Sequence, residues 1–172
     1  ARGLGDVYKR QGLVDIAFQR PKTFSTLRFN FYPQQNKAVE ISSQDGEALG
    51  CETHVDSGIM TILYQDKKGG LQVQNRNNLQ WYNVPYDPDS LIVNTGLALQ
   101  ILTNDYFKAT NHRVLVNNEE RISIPFFLEP SYDFVLNPKL LNISDKPIHE
   151  VNTYEVFLNH SLKKFIEYDR YI

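Results

Sequence analysis

Three residues of this chain, His54, Asp56 and His112, carry the side chains a divalent metal takes, and Arg121 with Ser123 carries those an organic anion takes. His54 and Asp56 stand one residue apart within the β-branched, apolar stretch from Gly50 to Ile62. In an extended chain alternate side chains project to one face, so both can reach the same ion. His112, in Asn111-His112-Arg113-Val114, is the natural third ligand. Two imidazoles and one carboxylate on one side of an ion leave the opposite positions open, which suits non-haem Fe(II) accepting both a substrate and dioxygen. Zinc could use the same residues, but a catalytic zinc keeps one open position and activates water. All three ligands bind deprotonated, so acid should weaken the site.

Arg121-Ile122-Ser123 repeats the same spacing, and its chemistry is anion capture. A guanidinium makes a two-pronged pair with a carboxylate, and a neighbouring hydroxyl adds a third donor. Asn30 and Tyr32, on the polar face of Leu27-Arg28-Phe29-Asn30-Phe31-Tyr32, could complete that pocket. A metal with open positions beside a carboxylate trap describes a site for a 2-oxo acid.

Short strands must position these groups. Leu27 to Tyr32 alternates in character and is closed by Pro33, with Leu27, Phe29 and Phe31 expected on a packed apolar face. Further strands are expected at 38–41, 59–64, 71–74, 79–84, 91–94, 109–116 and 121–128, with turn-forming Asn, Asp, Gly and Pro between them. Residues 96–103 fit either a strand or a helical turn. Asn117 to Glu120 reads as a hairpin turn joining the His112 strand to a paired Arg121 strand. Pro125 inside the latter belongs at an edge or where no N–H is needed. The pattern indicates an antiparallel sandwich or barrel. After Pro130 it changes: Asn152-Thr153-Tyr154-Glu155 reads as a capping box, and Tyr154, Phe157, Leu158, Leu162, Phe165 and Ile166 recur at helical spacing. That helix, about 153–168, should pack outside the barrel. The expected organisation is a poorly defined segment over 1–26, a core over 27–130 and a C-terminal extension over 131–172.

With 172 residues, 41% of them hydrophobic, the chain has the size and composition of one globular domain. A net charge of −2 without clustered Lys and Arg argues against nucleic acid. The single cysteine, Cys51, excludes an internal disulfide and a zinc ribbon. No run approaches a membrane span and the first residues lack a secretory apolar core, so a cytoplasmic location is the expectation. Residues 1–11 match the rest of the chain poorly in character, and the chain starts at Ala1 without methionine.

The motifs Asn30-Phe31-Tyr32-Pro33, His54-Val55-Asp56, Thr61-Ile62-Leu63-Tyr64-Gln65-Asp66, Gly69-Gly70-Leu71-Gln72-Val73, Asn94-Thr95-Gly96, His112-Arg113-Val114 and Arg121-Ile122-Ser123-Ile124-Pro125-Phe126-Phe127-Leu128 succeed one another in an order and spacing with a known parallel. From Leu27 to Leu128 the chain resembles the Fe(II)/2-oxoglutarate-dependent dioxygenases. The branch is that of isopenicillin N synthase, plant flavonoid oxygenases and aminocyclopropane carboxylate oxidase. The resemblance implies a mainly β double-stranded β-helix, or jelly roll, with His54, Asp56 and His112 binding Fe(II). It implies that Arg121 and Ser123, helped by Tyr32 and Asn30, bind the distal carboxylate of 2-oxoglutarate. The implied activity is hydroxylation or desaturation of a small organic substrate by dioxygen, releasing succinate and CO2. Family members are longer, with an N-terminal region packed on the barrel, so this chain is expected to be a C-terminal portion. Some members keep the Arg-x-Ser pair yet use no 2-oxoglutarate; Asn30-Phe31-Tyr32 resembles the users.

Taken singly, each ligand is better explained as a hydrogen-bonded structural residue; jointly they favour a metal. His149 and His160 are read as ordinary loop and helix-surface residues, Cys51 as a small buried residue, and Trp81, Phe126 and Phe127 as core. The rival functions are an isopenicillin N synthase-like oxidase without 2-oxoglutarate and a jelly-roll module that does no chemistry.

Overall fold

The β-rich runs between residues 26 and 128 pair into two antiparallel sheets in the computed structural model, which describes residues 12–19, 21–34, 43, 45–141 and 146–162. One sheet takes β1 (Thr26–Leu27) and β2 (Asn30–Tyr32), both beside β9 (Arg121–Leu128), then β4 (Met60–Gln65) and β7 (Ile92–Thr95). The other takes β3 (Leu49–His54), β8 (His112–Leu115), β5 (Leu71–Gln74) and β6 (Trp81–Asn83), in that order. With β1 and β2 counted as one interrupted strand, the chain crosses between sheets at every step except the β5–β6 hairpin. That path is the double-stranded β-helix, the jelly roll.

The link from β8 to β9 is one of those crossings. Asn117 to Glu120 is therefore not a hairpin turn, and the Arg121 strand does not pair with the His112 strand: β8 lies between β3 and β5, β9 between β1/β2 and β4. Local turn chemistry cannot distinguish a reversal within one sheet from a crossover to the facing one. Pro125 sits in the middle of the central strand β9, opposite the break between β1 and β2. Its carbonyl accepts from the Arg28 amide at 3.0 Å. Carbonyl and N–H of one strand residue point the same way, so the missing N–H falls where the neighbouring strand is interrupted.

Inward and outward positions of the five-stranded sheet differ sharply. Arg121, Ser123, Thr61 and Gln65 point inward and are buried. Leu27, Phe29 and Phe31, expected on a packed face, are 53%, 71% and 60% exposed, because they project to the outer surface, which no described element covers. Phe126, expected in the core, also faces outward; its neighbour Phe127 faces in. Trp81 lies on the outside of the other sheet, under the Arg113 guanidinium at 4.1 Å. Arg113 is held there by Asp45 at 2.8 and 2.9 Å and by Gln72.

The main apolar cluster forms outside the barrel. Residues 96–103 resolve as a helix, α2 (Leu97–Leu102). Its Ala98 and Leu102 pack with Ala17 of α1 (residues 12–17), Phe134 and Leu136 around β10 (Val135–Leu136), and Tyr154 and Leu158 of α3 (Tyr154–Leu162). The C-terminal helix thus packs outside the barrel, against α2 and β10. It is entered differently from the expected capping box: Asn152–Thr153 form β11, paired with β10, and Thr153 Oγ1 accepts the Val156 amide at 3.4 Å. The expected strand at 38–41, the stretch 1–11 and residues 163–168 lie outside the described residues. Strand ends also differ: β8 begins at His112 rather than 109, and Leu79, at φ 58°, precedes β6. No described helix is long and apolar enough to cross a membrane.

Candidate active site

His54 is the last residue of β3 and His112 the first of β8, and the two are direct cross-strand partners. Their ring centroids lie 4.3 Å apart. Asp56 is not on the same strand: β3 ends at His54, and Asp56 enters from the loop after it. It still converges, with Oδ1 3.7 Å from His54 Nε2 and 3.5 Å from His112 Nε2. One ligand atom from each of the three residues lies within 4.8 Å of the others.

The surroundings select which atoms point into the cluster. His54 Nδ1 lies 2.7 Å from the Glu52 carbonyl oxygen and His112 Nδ1 3.0 Å from that of Thr110. A carbonyl only accepts, so Nδ1 carries the proton and the neutral ring keeps its lone pair on Nε2, facing the cluster. Asp56 Oδ2 accepts from Thr61 Oγ1 at 2.5 Å and Asn94 Nδ2 at 2.8 Å, which leaves Oδ1 toward the imidazoles. Neither Thr61 nor Asn94 was given a role from sequence. They face each other across β4 and β7, a register invisible in the linear order. Removing such outer contacts typically weakens metal binding about 10- to 100-fold. Thr61→Val and Asn94→Ala should each do so in an anaerobic Fe(II) titration.

Burial pushes the Asp56 carboxyl upward, but His112, Thr61 and Asn94 outweigh it and hold it well below the usual carboxylate range. Burial pulls both imidazoles down; the Asp56 carboxylate reverses this for His112, and the Cys51 thiol and Glu52 carbonyl reverse it for His54. Both therefore hold protons more tightly than an ordinary histidine at 6.5. A metal must displace those protons. Apparent Fe(II) affinity should fall as pH drops, beginning on the alkaline side of 6.5 and approaching about tenfold per pH unit for each imidazole. Titrations across about pH 6 to 8 check this.

Arg121 and Ser123 line the same interior, at 1% and 2% exposure. Arg121 donates through Nε to the Gly69 carbonyl and lies over the Tyr32 ring at 4.7 Å. Its Nη1 and Nη2 are buried without a hydrogen-bond partner among the described residues. Asn30 Nδ2 is 3.4 Å from Ser123 Oγ, and the register sets Asn30 opposite Ser123 and Tyr32 opposite Arg121. The four residues named from sequence are thus neighbours. Two buried donors of a fixed fork, with hydroxyl and amide groups alongside, fit a carboxylate.

The other candidates stay apart from this chemistry. His149 pairs with Asp105 at 2.6 Å, and His160 is exposed on α3. Cys51 is half-buried rather than buried, with Sγ 3.9 Å from His54 Nδ1.

Comparison with known proteins agrees with this geometry. The chain is 32% identical to isopenicillin N synthase of Streptomyces clavuligerus over 168 residues, 96% of this chain and 50% of that one. It is 35% identical to gibberellin 3-beta-dioxygenase 1 of Arabidopsis thaliana over 144 residues, 82% of this chain and 38% of the relative. The chain thus spans about half the length, or less, of these relatives. Among solved structures, that of JOX2 in complex with 2OG, Fe and JA superposes with a TM-score of 0.72 at 31% identity, covering 90% of this chain and 46% of that one. The sequence model of the 2OG-Fe(II) oxygenase superfamily matches residues 23–130, the span that contains both sheets. The chain belongs to the 2OG-Fe(II) oxygenase superfamily.

Proposed function

We propose that the protein containing this chain is an oxygenase that uses 2-oxoglutarate and dioxygen to hydroxylate or desaturate a small organic substrate. The observation that carries this reading is the pair of buried Arg121 nitrogens without a partner among the described residues, in the same barrel as the His54, Asp56 and His112 cluster. A guanidinium left that way is costly unless an anion completes it.

In this reading His54 Nε2, Asp56 Oδ1 and His112 Nε2 hold Fe(II), which when bound with the oxo acid supplies oxidation of a C–H bond by dioxygen, releasing succinate and CO2. The backbone carbonyls of Glu52 and Thr110 keep the imidazoles in the ligating tautomer, and Thr61 and Asn94 keep Asp56 presenting one oxygen. Arg121, with Ser123, Asn30 and Tyr32 around it, takes the distal carboxylate of the oxo acid. Holding that carboxylate in a fork orients the molecule by its far end, which is how a binding group sets geometry at a reacting one.

The test adds Fe(II) and 2-oxoglutarate anaerobically and monitors the visible metal-to-ligand charge-transfer band, then measures succinate on admitting oxygen with candidate substrates. Band and succinate together support the reading. A folded protein showing neither rules it out. Similarity to isopenicillin N synthase favours a second reading, an oxidase whose substrate supplies all the electrons. Substrate turnover without succinate would establish it.

A further inference from the structure

The loop that delivers Asp56 is held from three sides, and one of the holds is a buried carboxyl that belongs neither to the metal ligands nor to the carboxylate clamp. We infer that Glu129 is a positioning residue for Asp56, acting through Ser57; this rests on the reading of His54, Asp56 and His112 as metal ligands.

Residues 56–59 run between the end of β9 and the start of α2. On the α2 side, the Leu97 amide donates to the Asp56 carbonyl at 2.8 Å and the Ala98 amide to that of Ser57 at 3.0 Å. On the β9 side, the Ile59 amide donates to the Leu128 carbonyl at 2.9 Å. The passage is narrow. A Cβ on Gly58 would stand 2.7 Å from the Leu128 oxygen and 2.9 Å from Glu129 Cγ, and one on Gly96 would stand 2.3 Å from the Gly58 oxygen. Glycine at both points is what lets the loop thread there.

Within this passage Ser57 Oγ donates to Glu129 Oε1 at 2.8 Å. The Glu129 backbone is anchored: its amide donates to Ser25 Oγ at 3.0 Å, and its carbonyl accepts from Ser25 Oγ at 3.0 Å and Thr23 Oγ1 at 2.5 Å. It is 4% exposed, and the buried hydroxyl of Tyr154, the first residue of α3, neighbours both it and Ser57. The peptide joining Asp56 to Ser57 is therefore held at both ends, by Leu97 on one and Glu129 on the other. A buried carboxyl is a poor choice for stability alone, since burial costs it solvation and an apolar side chain would fill the same space. Its direct side-chain hydrogen bond goes to the residue next to a ligand. Metal sites tolerate only about 0.5 Å of ligand displacement, and the Ser57–Glu129 contact fixes the one ligand that comes from a loop rather than a strand.

Co(II) alone is the probe, titrated into the full chain and into the Ser57→Ala, Glu129→Ala and Glu129→Gln variants, with dissociation constant, visible d–d spectrum and thermal midpoint read for each. Ser57→Ala and Glu129→Ala are expected to weaken Co(II) binding about 10- to 100-fold and to alter the d–d bands. Glu129→Gln, whose amide oxygen still accepts from Ser57, is expected to recover most of the affinity and the wild-type spectrum. A residue that served folding alone would shift thermal midpoints and leave the bands of the folded protein unchanged. Equal affinity and identical spectra in the wild type and Ser57→Ala overturn the inference while leaving the proposed function standing, and this comparison decides even where Glu129→Ala does not fold. Failure of Glu129→Gln to recover the spectrum overturns it as well. A folded wild type that binds no Co(II) overturns both.

Discussion

Arg121→Met is expected to abolish the response to 2-oxoglutarate while leaving the metal-free protein at least as stable as before. Both halves come from the same atoms. The wild-type guanidinium is buried with Nη1 and Nη2 lacking a hydrogen-bond partner among the described residues, so without a bound anion its charge is uncompensated. Replacing buried charges by apolar side chains of similar length is often neutral or stabilising by about 1 to 4 kcal/mol. Against that stands the loss of the Nε hydrogen bond to Gly69 and the stacking on Tyr32. With the oxo acid bound the sign reverses, because its carboxylate then has no fork to meet. Losing one partner of a buried charge pair costs about 3 to 5 kcal/mol, a factor of about 150 to 5,000 in affinity. Thermal melting with and without 2-oxoglutarate in the presence of Mn(II) reads both effects. At about 100 Kd the ligand should stabilise the wild type by about 2.7 kcal/mol and the variant hardly at all. A variant that kept the ligand-induced shift would move carboxylate capture away from Arg121.

Asp56 separates differently into its two jobs. Asp56→Asn keeps an oxygen that can accept from Thr61 and Asn94 but brings no charge to the cluster, so metal affinity should fall by more than about 100-fold with stability retained. Asp56→Ala should lose the metal equally and, in addition, about 1 to 3 kcal/mol for each donor it leaves unsatisfied. The acid limb distinguishes them further. A carboxyl held below its ordinary 3.8 contributes stability that is present above 3.8 and is lost as pH falls through the lower folded value. Metal-free wild type should therefore lose stability through that window on acidification, and Asp56→Asn should not show this component. Urea unfolding between about pH 2 and 5 measures it.

The candidate ligands and carboxylate clamp were legible because their residue types are rare together; period-two spacing holds for Arg121 and Ser123 on β9, whereas Asp56 reaches the cluster from the loop after His54. Legibility ended where pairing begins. Thr61 and Asn94 meet across β4 and β7, and nothing local reveals that two strands so far apart in sequence are in register. The same blindness made Asn117 to Glu120 read as a hairpin, since crossovers and reversals use the same turn residues. Leu27, Phe29 and Phe31 misled for another reason: alternation reports which residues share a face, not whether anything lies over that face. Residues 96–103 were ambiguous because so short a run cannot separate helix from strand by periodicity; the amides of Leu97 and Ala98 bonding to the Asp56 loop decide it.

The interruption of the first strand beside Pro125 also bears on how the molecule assembles. Tyr32 finds its partner Arg121 roughly ninety residues later, so this pairing is a long loop closure that rewards the chain late. Split into two short ladders of two and three residues, the strand has little to hold it until β9 is in place. Asn30 and Tyr32, proposed to help hold the oxo acid, ride on the second ladder. The oxo acid pocket should then be the last part of the barrel to form in refolding and the first to open, with the β2 amides exchanging hydrogen sooner than those of β4 and β8.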